Sequence, residues 1–257
     1  MGVMACATSA RATPKPLPFT YGADTNPKGT GEVEQYVDFV PLKALDGNAA
    51  PVPYPAMQFQ TEFEYGLSNR LELGLYVTLV PAPPGFIQTP TLTEGNGVKE
   101  RLRWRLADAG DWPVDVALYA ELTETLTEME LEWKLILDRR FGRLRLMANA
   151  WFEYELYYTG RREWVFNPTA GFTVDATPNV SPGFEYWMRA EVRSDATDPP
   201  NFNQGPHHYV GPTLRVAFGN FFVTSGVYMR LDAIGRAVTP SDSYGPVWFR
   251  TLVGFGF

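Results

Sequence analysis

Two sets of residues in this chain have types and spacings that could do chemistry. The first is charge at every second position: Glu62, Glu64 and Glu72, then Arg101, Arg103 and Arg105, then Glu128, Glu130 and Glu132, then Arg143 and Arg145, with Trp151, Trp187 and Arg189 farther along. Residues two apart share one face of a strand, so each run presents a row of like charge, and acidic rows meet basic ones. Such rows line a pore that selects and orients a solute, or they neutralise one another and fill an interior. Tyr36, Tyr76, Tyr119, Tyr228 and Trp248 fall on the same face and would stack on a ring-bearing solute or serve as bulk. The second set is His207-His208, the only histidines, close in sequence to Asp195 and Asp198. A hydrolase needs a histidine in register with a nucleophile, and the nearest later strand serine, Ser225, falls on the opposite, apolar face. The histidines therefore read as a surface pair. No phosphate-cradling glycine loop, metal-ligand spacing or dinucleotide motif is present. The expectations are no catalytic residue, no metal and no cofactor, and the single Cys6 excludes an internal disulfide framework.

The elements that must position these rows are strands. Alternation recurs with apolar residues on one parity and charged or polar residues on the other. Val33, Val37 and Phe39 oppose Glu32, Glu34, Tyr36 and Asp38; Phe59, Thr61, Phe63 and Tyr65 oppose Gln58, Gln60, Glu62 and Glu64. From Arg70 to Val80, Leu71, Leu73, Leu75, Val77 and Leu79 oppose Arg70, Glu72, Tyr76 and Thr78. Val98–Leu106, Val114–Thr123, Glu128–Asp138, Arg143–Tyr158 and Phe184–Arg193 repeat the pattern; Glu100 interrupts it. Weaker strands are expected over Asn167–Asp175, Tyr209–Phe218, Phe221–Asp232 and Val247–Phe257. The total is about twelve, an even number as closed bacterial barrels require.

Alternation alone does not say which face points outward, because a soluble barrel alternates too. The connections decide. Gly66–Asn69, Asp138–Gly142 and Gly219-Asn220 are tight, whereas Ala44–Ala56, Pro81–Gly97, Ser194–Pro206 and Ile234–Pro246 are long and rich in Pro, Gly and Asn. Short periplasmic turns alternating with longer external loops mark a transmembrane barrel. The chain ends on Phe257, with Phe249, Val253 and Phe255 on one parity, similar to the terminal aromatic that directs outer-membrane barrels to assembly. No run of about 18 apolar residues exists, which excludes a spanning helix but not spanning strands. Met1–Ala12 reads as the remnant of an export signal, with Ala10-Arg11-Ala12 as a small-x-small cleavage pattern. A lipoprotein reading through Val3-Met4-Ala5-Cys6 is weaker. Residues 13–29 then form an N-terminal periplasmic segment, and 30–257 the barrel. The formal net charge of -7 argues against nucleic acid as a partner.

Two stretches carry a resemblance. Tyr21-Gly22-Ala23-Asp24-Thr25-Asn26-Pro27-Lys28-Gly29, leading into Glu32-Val33-Glu34, and Glu64-Tyr65-Gly66-Leu67-Ser68-Asn69-Arg70-Leu71-Glu72-Leu73-Gly74-Leu75 resemble the barrel family named for the MetA pathway of phenol degradation. The resemblance implies the bacterial outer membrane and transport of small, hydrophobic compounds, and it transfers no binding residue. The expectation is an all-β, closed, antiparallel up-and-down barrel in contact with outer-membrane lipid, acting as a channel or transporter-like protein for an unnamed small solute. The alternative is a plugged barrel acting through its external loops, and a hydrolase comes third. About twelve strands lie between barrels filled by side chains and those with an aqueous channel, so the state of the lumen stays open.

Overall fold

A computed structural model describes residues 15–44, 53–80, 96–194, 206–234 and 245–257. Most of each long connection, the export-signal and lipobox readings, and Asp195 and Asp198 fall outside the described residues.

Thirteen strand segments follow one another around a single sheet. They are β1 (Gly31–Ala44), β2 (Pro53–Ser68), β3 (Leu71–Leu79), β4 (Gly97–Arg105), β5 (Asp115–Thr125), β6 (Glu128–Phe141) and β7 (Leu144–Tyr157), then β8 (Arg162–Phe166), β9 (Thr169–Val174), β10 (Val180–Ser194), β11 (His207–Phe218), β12 (Phe221–Arg230) and β13 (Val247–Gly256). Each pairs antiparallel with its neighbours, and β13 returns to β1, from Glu32↔Gly256 to Phe39↔Phe249, which closes the sheet. A closed sheet leaves no unpaired edge, the condition for crossing lipid with strands. The segments β8 and β9 occupy one position between β7 and β10. They are one stave interrupted at Asn167-Pro168, since Pro168 has no N–H to give the ladder; Asn167 N still donates to Trp151 O at 2.9 Å. The barrel thus has twelve staves, and the eighth begins at Arg162, five residues earlier than the alternation indicates.

The faces are inverted relative to a soluble protein. In β3, Glu72, Tyr76 and Thr78 are buried while Leu75, Val77 and Leu79 are exposed; in β6, Glu132, Lys134 and Asp138 are buried while Trp133, Leu135 and Leu137 are exposed. Large apolar side chains ring the outside of the barrel, as a surrounding hydrocarbon phase demands. Gly142 and Gly219 take positive φ (60° and 61°) at the first loop position of two-residue hairpins, the geometry of a type II′ turn. These turns lie at one end of the barrel with Gly31 and Phe257, whose backbones exchange hydrogen bonds of 3.0 and 2.8 Å.

A charge on the outer face at mid-height should be costly. Leu135→Arg is expected to lower the unfolding free energy by about 2–4 kcal/mol, read as a lower guanidinium midpoint for the barrel in lipid vesicles. An unchanged midpoint would mean that this face does not meet lipid.

Candidate functional site

The barrel interior is the candidate site. Register brings carboxylates face to face: Glu32↔Glu64 and Glu34↔Glu62 are direct cross-strand partners on β1 and β2, and Glu72 follows on β3. Opposed like charges destabilise a sheet, so this corner needs cations. Arg101 on β4 supplies one. Its guanidinium donates to Glu62 (2.6 Å), Glu72 (2.7 Å), Glu64 and the Tyr76 hydroxyl (3.1 Å). It reaches them by lying across Gly74, where an added Cβ would stand 2.5 Å from Arg101 Nε. Arg103 donates to Glu72 at 2.6 Å.

Lys15 supplies a third cation, and it comes from outside the wall. Its ammonium contacts Glu34, Glu62 (2.9 Å) and Glu64 (3.0 Å). Carboxylate oxygens of Glu32, Glu34 and Glu64 gather within 4.8 Å of one another, and Lys15 lies against two of these three, Glu34 and Glu64, in a cage that suits a cation. The sequence reading leaves residues 13–29 on the periplasmic side; the described part instead enters the barrel, and 15–20 are all buried. This segment does not alternate, so nothing in its pattern marks it as buried. What draws it in is an interior whose acceptors lack donors.

The wall receives the segment's backbone through side chains. Glu185 accepts from the amides of Phe19 (3.0 Å) and Thr20 and from the Tyr228 hydroxyl. Asn149 accepts from Tyr21 N (2.7 Å) and donates to Tyr21 O (3.0 Å), as a neighbouring strand would. Asp138 accepts from Ala23 N at 3.0 Å, and Arg145 ties Asp138 to Asp24, the latter at 2.6 Å. Glu72 accepts from Asn26 N at 2.6 Å, and Asn26 Nδ2 donates to Glu64 at 2.9 Å. The apex of the segment sits among rings: Phe19 is 4.7 Å from Trp187, which stacks on Tyr209 at 4.0 Å. Arg250, paired with Asp38 at 2.6 Å, lies 3.8 Å over Phe19.

Beyond the apex, toward the end that carries the long connections, charge turns acidic. Glu121 pairs with Lys99 (2.8 Å), Glu132 with Lys134, and Glu153 and Glu155 share Arg189 (2.8 and 2.6 Å). Glu128 and Glu130 are half-buried there. Trp151 lies under Lys134, 3.7 Å from ring centroid to Nζ. A cavity of about 60 Å³ remains between Phe19, Tyr21 and the wall. That holds a few waters, not a solute-sized ligand.

Structural comparison sets this geometry among known barrels. The COG4313 outer membrane channel from Pseudomonas putida F1 superposes with a TM-score of 0.62 at 12% identity, over 91% of this chain and 98% of that one. The NanC porin gives 0.57 at 10% identity and the KdgM porin 0.56 at 9%, each over 88% of this chain and nearly all of its own. The fold is that of an outer-membrane barrel. No protein-family model matches the chain, and no curated protein matches its sequence.

The structure therefore brings Glu62, Glu64, Glu72, Arg101 and Arg103 into one network and sets Glu128, Glu130, Glu132, Trp151 and Arg189 in a second region. Arg145 belongs to neither: it anchors Asp24. Arg105 is half-buried near the turn, donating to Asn69 O at 2.9 Å, and Arg143 is exposed at the periplasmic mouth. Trp187 belongs to the ring cluster. His207 pairs with Asp232 (3.1 Å) and His208 with the Tyr186 hydroxyl (2.9 Å), while Ser225 pairs with Thr251 (3.1 Å). Sequence reasoning left out Lys15, Asn149 and the acceptor role of Glu185. The one available signal for Lys15 was the pairing of Glu32 and Glu34 with Glu62 and Glu64, which demands a cation from elsewhere.

Removing one partner of a buried ion network costs about 3–5 kcal/mol. Lys15→Ala should therefore free the segment: amides of residues 19–26 are expected to exchange with deuterium at least roughly tenfold faster, while amides of β1 to β7 keep their protection. Equal exchange in both proteins would mean that Lys15 does not hold the segment.

Proposed function

We propose that the chain is an outer-membrane channel for a small solute, closed in this state by residues 15–26 and opened when that segment withdraws. The observation that carries this reading is how the lumen is filled. Apart from the ring cluster around Phe19, its contacts are ion pairs and side-chain-to-backbone hydrogen bonds between a polar wall and a separate stretch of chain. Water can replace each of these contacts, whereas an apolar filling would exclude it. A lumen meant to be permanently solid could be filled by wall side chains alone, as in smaller barrels. The shared fold with channels and porins adds support, as does the resemblance of the Tyr21 and Glu64 stretches to a transporter-like family. In the open state Glu62, Glu64, Glu72, Arg101 and Arg103 would line the inner part of the path, with Glu130, Glu132 and Arg189 on the external side and Arg143 at the inner mouth.

The second reading is a plugged barrel that acts through its external loops, and the small residual cavity favours it. Planar-bilayer recording separates the two. A variant lacking residues 13–26 is expected to conduct several-fold more than the full chain, and neutralising Arg101, Arg103 or Glu130 in that background should change ion selectivity. Silence with and without the segment, in protein shown to be folded by heat-modifiable migration, would favour the loop reading. Deleting 81–95 or 195–205 would then abolish partner binding.

A further inference from the structure

At the periplasmic end, where β7 and β9 to β12 meet their turns, the interior widens into a recess of about 680 Å³ bordered by Pro16 of the inserted segment. Four arginines face it, Arg140, Arg143, Arg145 and Arg215, against the single carboxylate of Asp175. Arg145 is committed to Asp138 and Asp24, and Arg140 lies 3.9 Å from the same Asp24. Arg143 and Arg215 make no ion pair among the described residues. Arg215 Nε is buried and without a hydrogen-bond partner there, and its guanidinium is held 5.4 Å over the buried Phe222 ring. Asp175 accepts from Ser181 Oγ at 2.8 Å.

Asp24 and Asp138 answer Arg145, and Asp175 is the one carboxylate in the lining of the recess. The recess is thus basic in a protein of net charge -7, and its volume falls within the roughly 300–1,000 Å³ of small-molecule sites. Guanidinium groups presented from the β6–β7 turn and from β11 suit the paired oxygens of carboxylate or phosphate, and the Thr173 hydroxyl lies in the same lining.

We infer that this recess is a binding site for a small soluble oxyanion, a molecule bearing carboxylate or phosphate groups, with Arg143 and Arg215 as its principal ligands. The site goes beyond the channel reading and does not depend on it, because binding is measured without permeation. Citrate and inorganic phosphate are the probes, titrated calorimetrically at low ionic strength into the detergent-folded full chain, with vesicles containing phosphatidylglycerol as the lipid arm. Arg143→Gln and Arg215→Gln are each expected to weaken binding about tenfold, the value of one charge-assisted hydrogen bond, and the double variant to abolish it. Arg70→Gln is the control: Arg70 lies near the same end but pairs with Asp108 at 2.6 Å, away from the recess. Unchanged affinity in the double variant, equal loss in Arg70→Gln, absence of binding by either probe, or binding only to the lipid arm would each overturn the assignment. Heat-modifiable migration of every variant shows that the barrel is folded, so loss of binding reports on the site.

Discussion

Carboxylates facing one another across β1, β2 and β3 are the constraint on which the interior depends. Strand register fixes Glu32 opposite Glu64 and Glu34 opposite Glu62, and the bilayer outside keeps the charged parity turned inward. Burying that much like charge is unfavourable unless cations enter the gap. Arg101 is one such cation, and it reaches in only because Gly74 has no side chain in its way. Arg103 adds a second at Glu72; Lys15 is the third, and bringing it there commits the rest of its segment to the lumen. The acceptors on Glu185, Asn149, Asp138 and Glu72 then satisfy a backbone that has no strand neighbour of its own. A filled lumen follows from the charge pattern of three adjacent strands.

The fold was legible because a spanning strand must alternate and this chain alternates with charge, the strongest form of the signal. Leu75, Val77 and Leu79 on β3 and Trp133, Leu135 and Leu137 on β6 lie on the outside as their parity requires. The eighth stave was seen only from Asn167 because Pro168 interrupts it and Arg162 to Phe166 is too short to show a period by itself. The inserted segment was illegible for a different reason. Its burial is specified by its partners, which lie from 19 to more than 160 residues away, and a local pattern carries no record of them.

The two stretches that resemble a family by sequence turn out to touch. Asn26 bonds to Glu64 and Glu72, Thr25 Oγ1 donates to Asn69 O at 3.0 Å, and Gly29 N donates to Gly66 O at 2.9 Å. Gly66 must be glycine because a Cβ there would stand 2.2 Å from Pro27 O. The turn after β2 and the approach to β1 therefore form one joint at the periplasmic end, from which the segment enters the barrel.

This division of labour separates the energetics of the wall from those of the segment. The barrel is closed by ladder hydrogen bonds between strands, including β13 to β1, and none of these needs residues 15–26. The segment is held by wall side chains, so its departure breaks no stave. What departure does leave behind is a concentration of carboxylate toward the inner end that Arg101 and Arg103 answer in part, with water or incoming cations taking the place of Lys15. The acidic region on the external side and the arginines at the inner mouth would remain at either end of that exposed stretch. An anion bound at the inner mouth would sit against Pro16, at the exit of the segment, so occupancy of the recess and position of the segment share a boundary. Two events at one boundary are coupled in free energy to the extent that one alters the other's contacts, and the contact available for that coupling is the short path from Pro16 to Lys15.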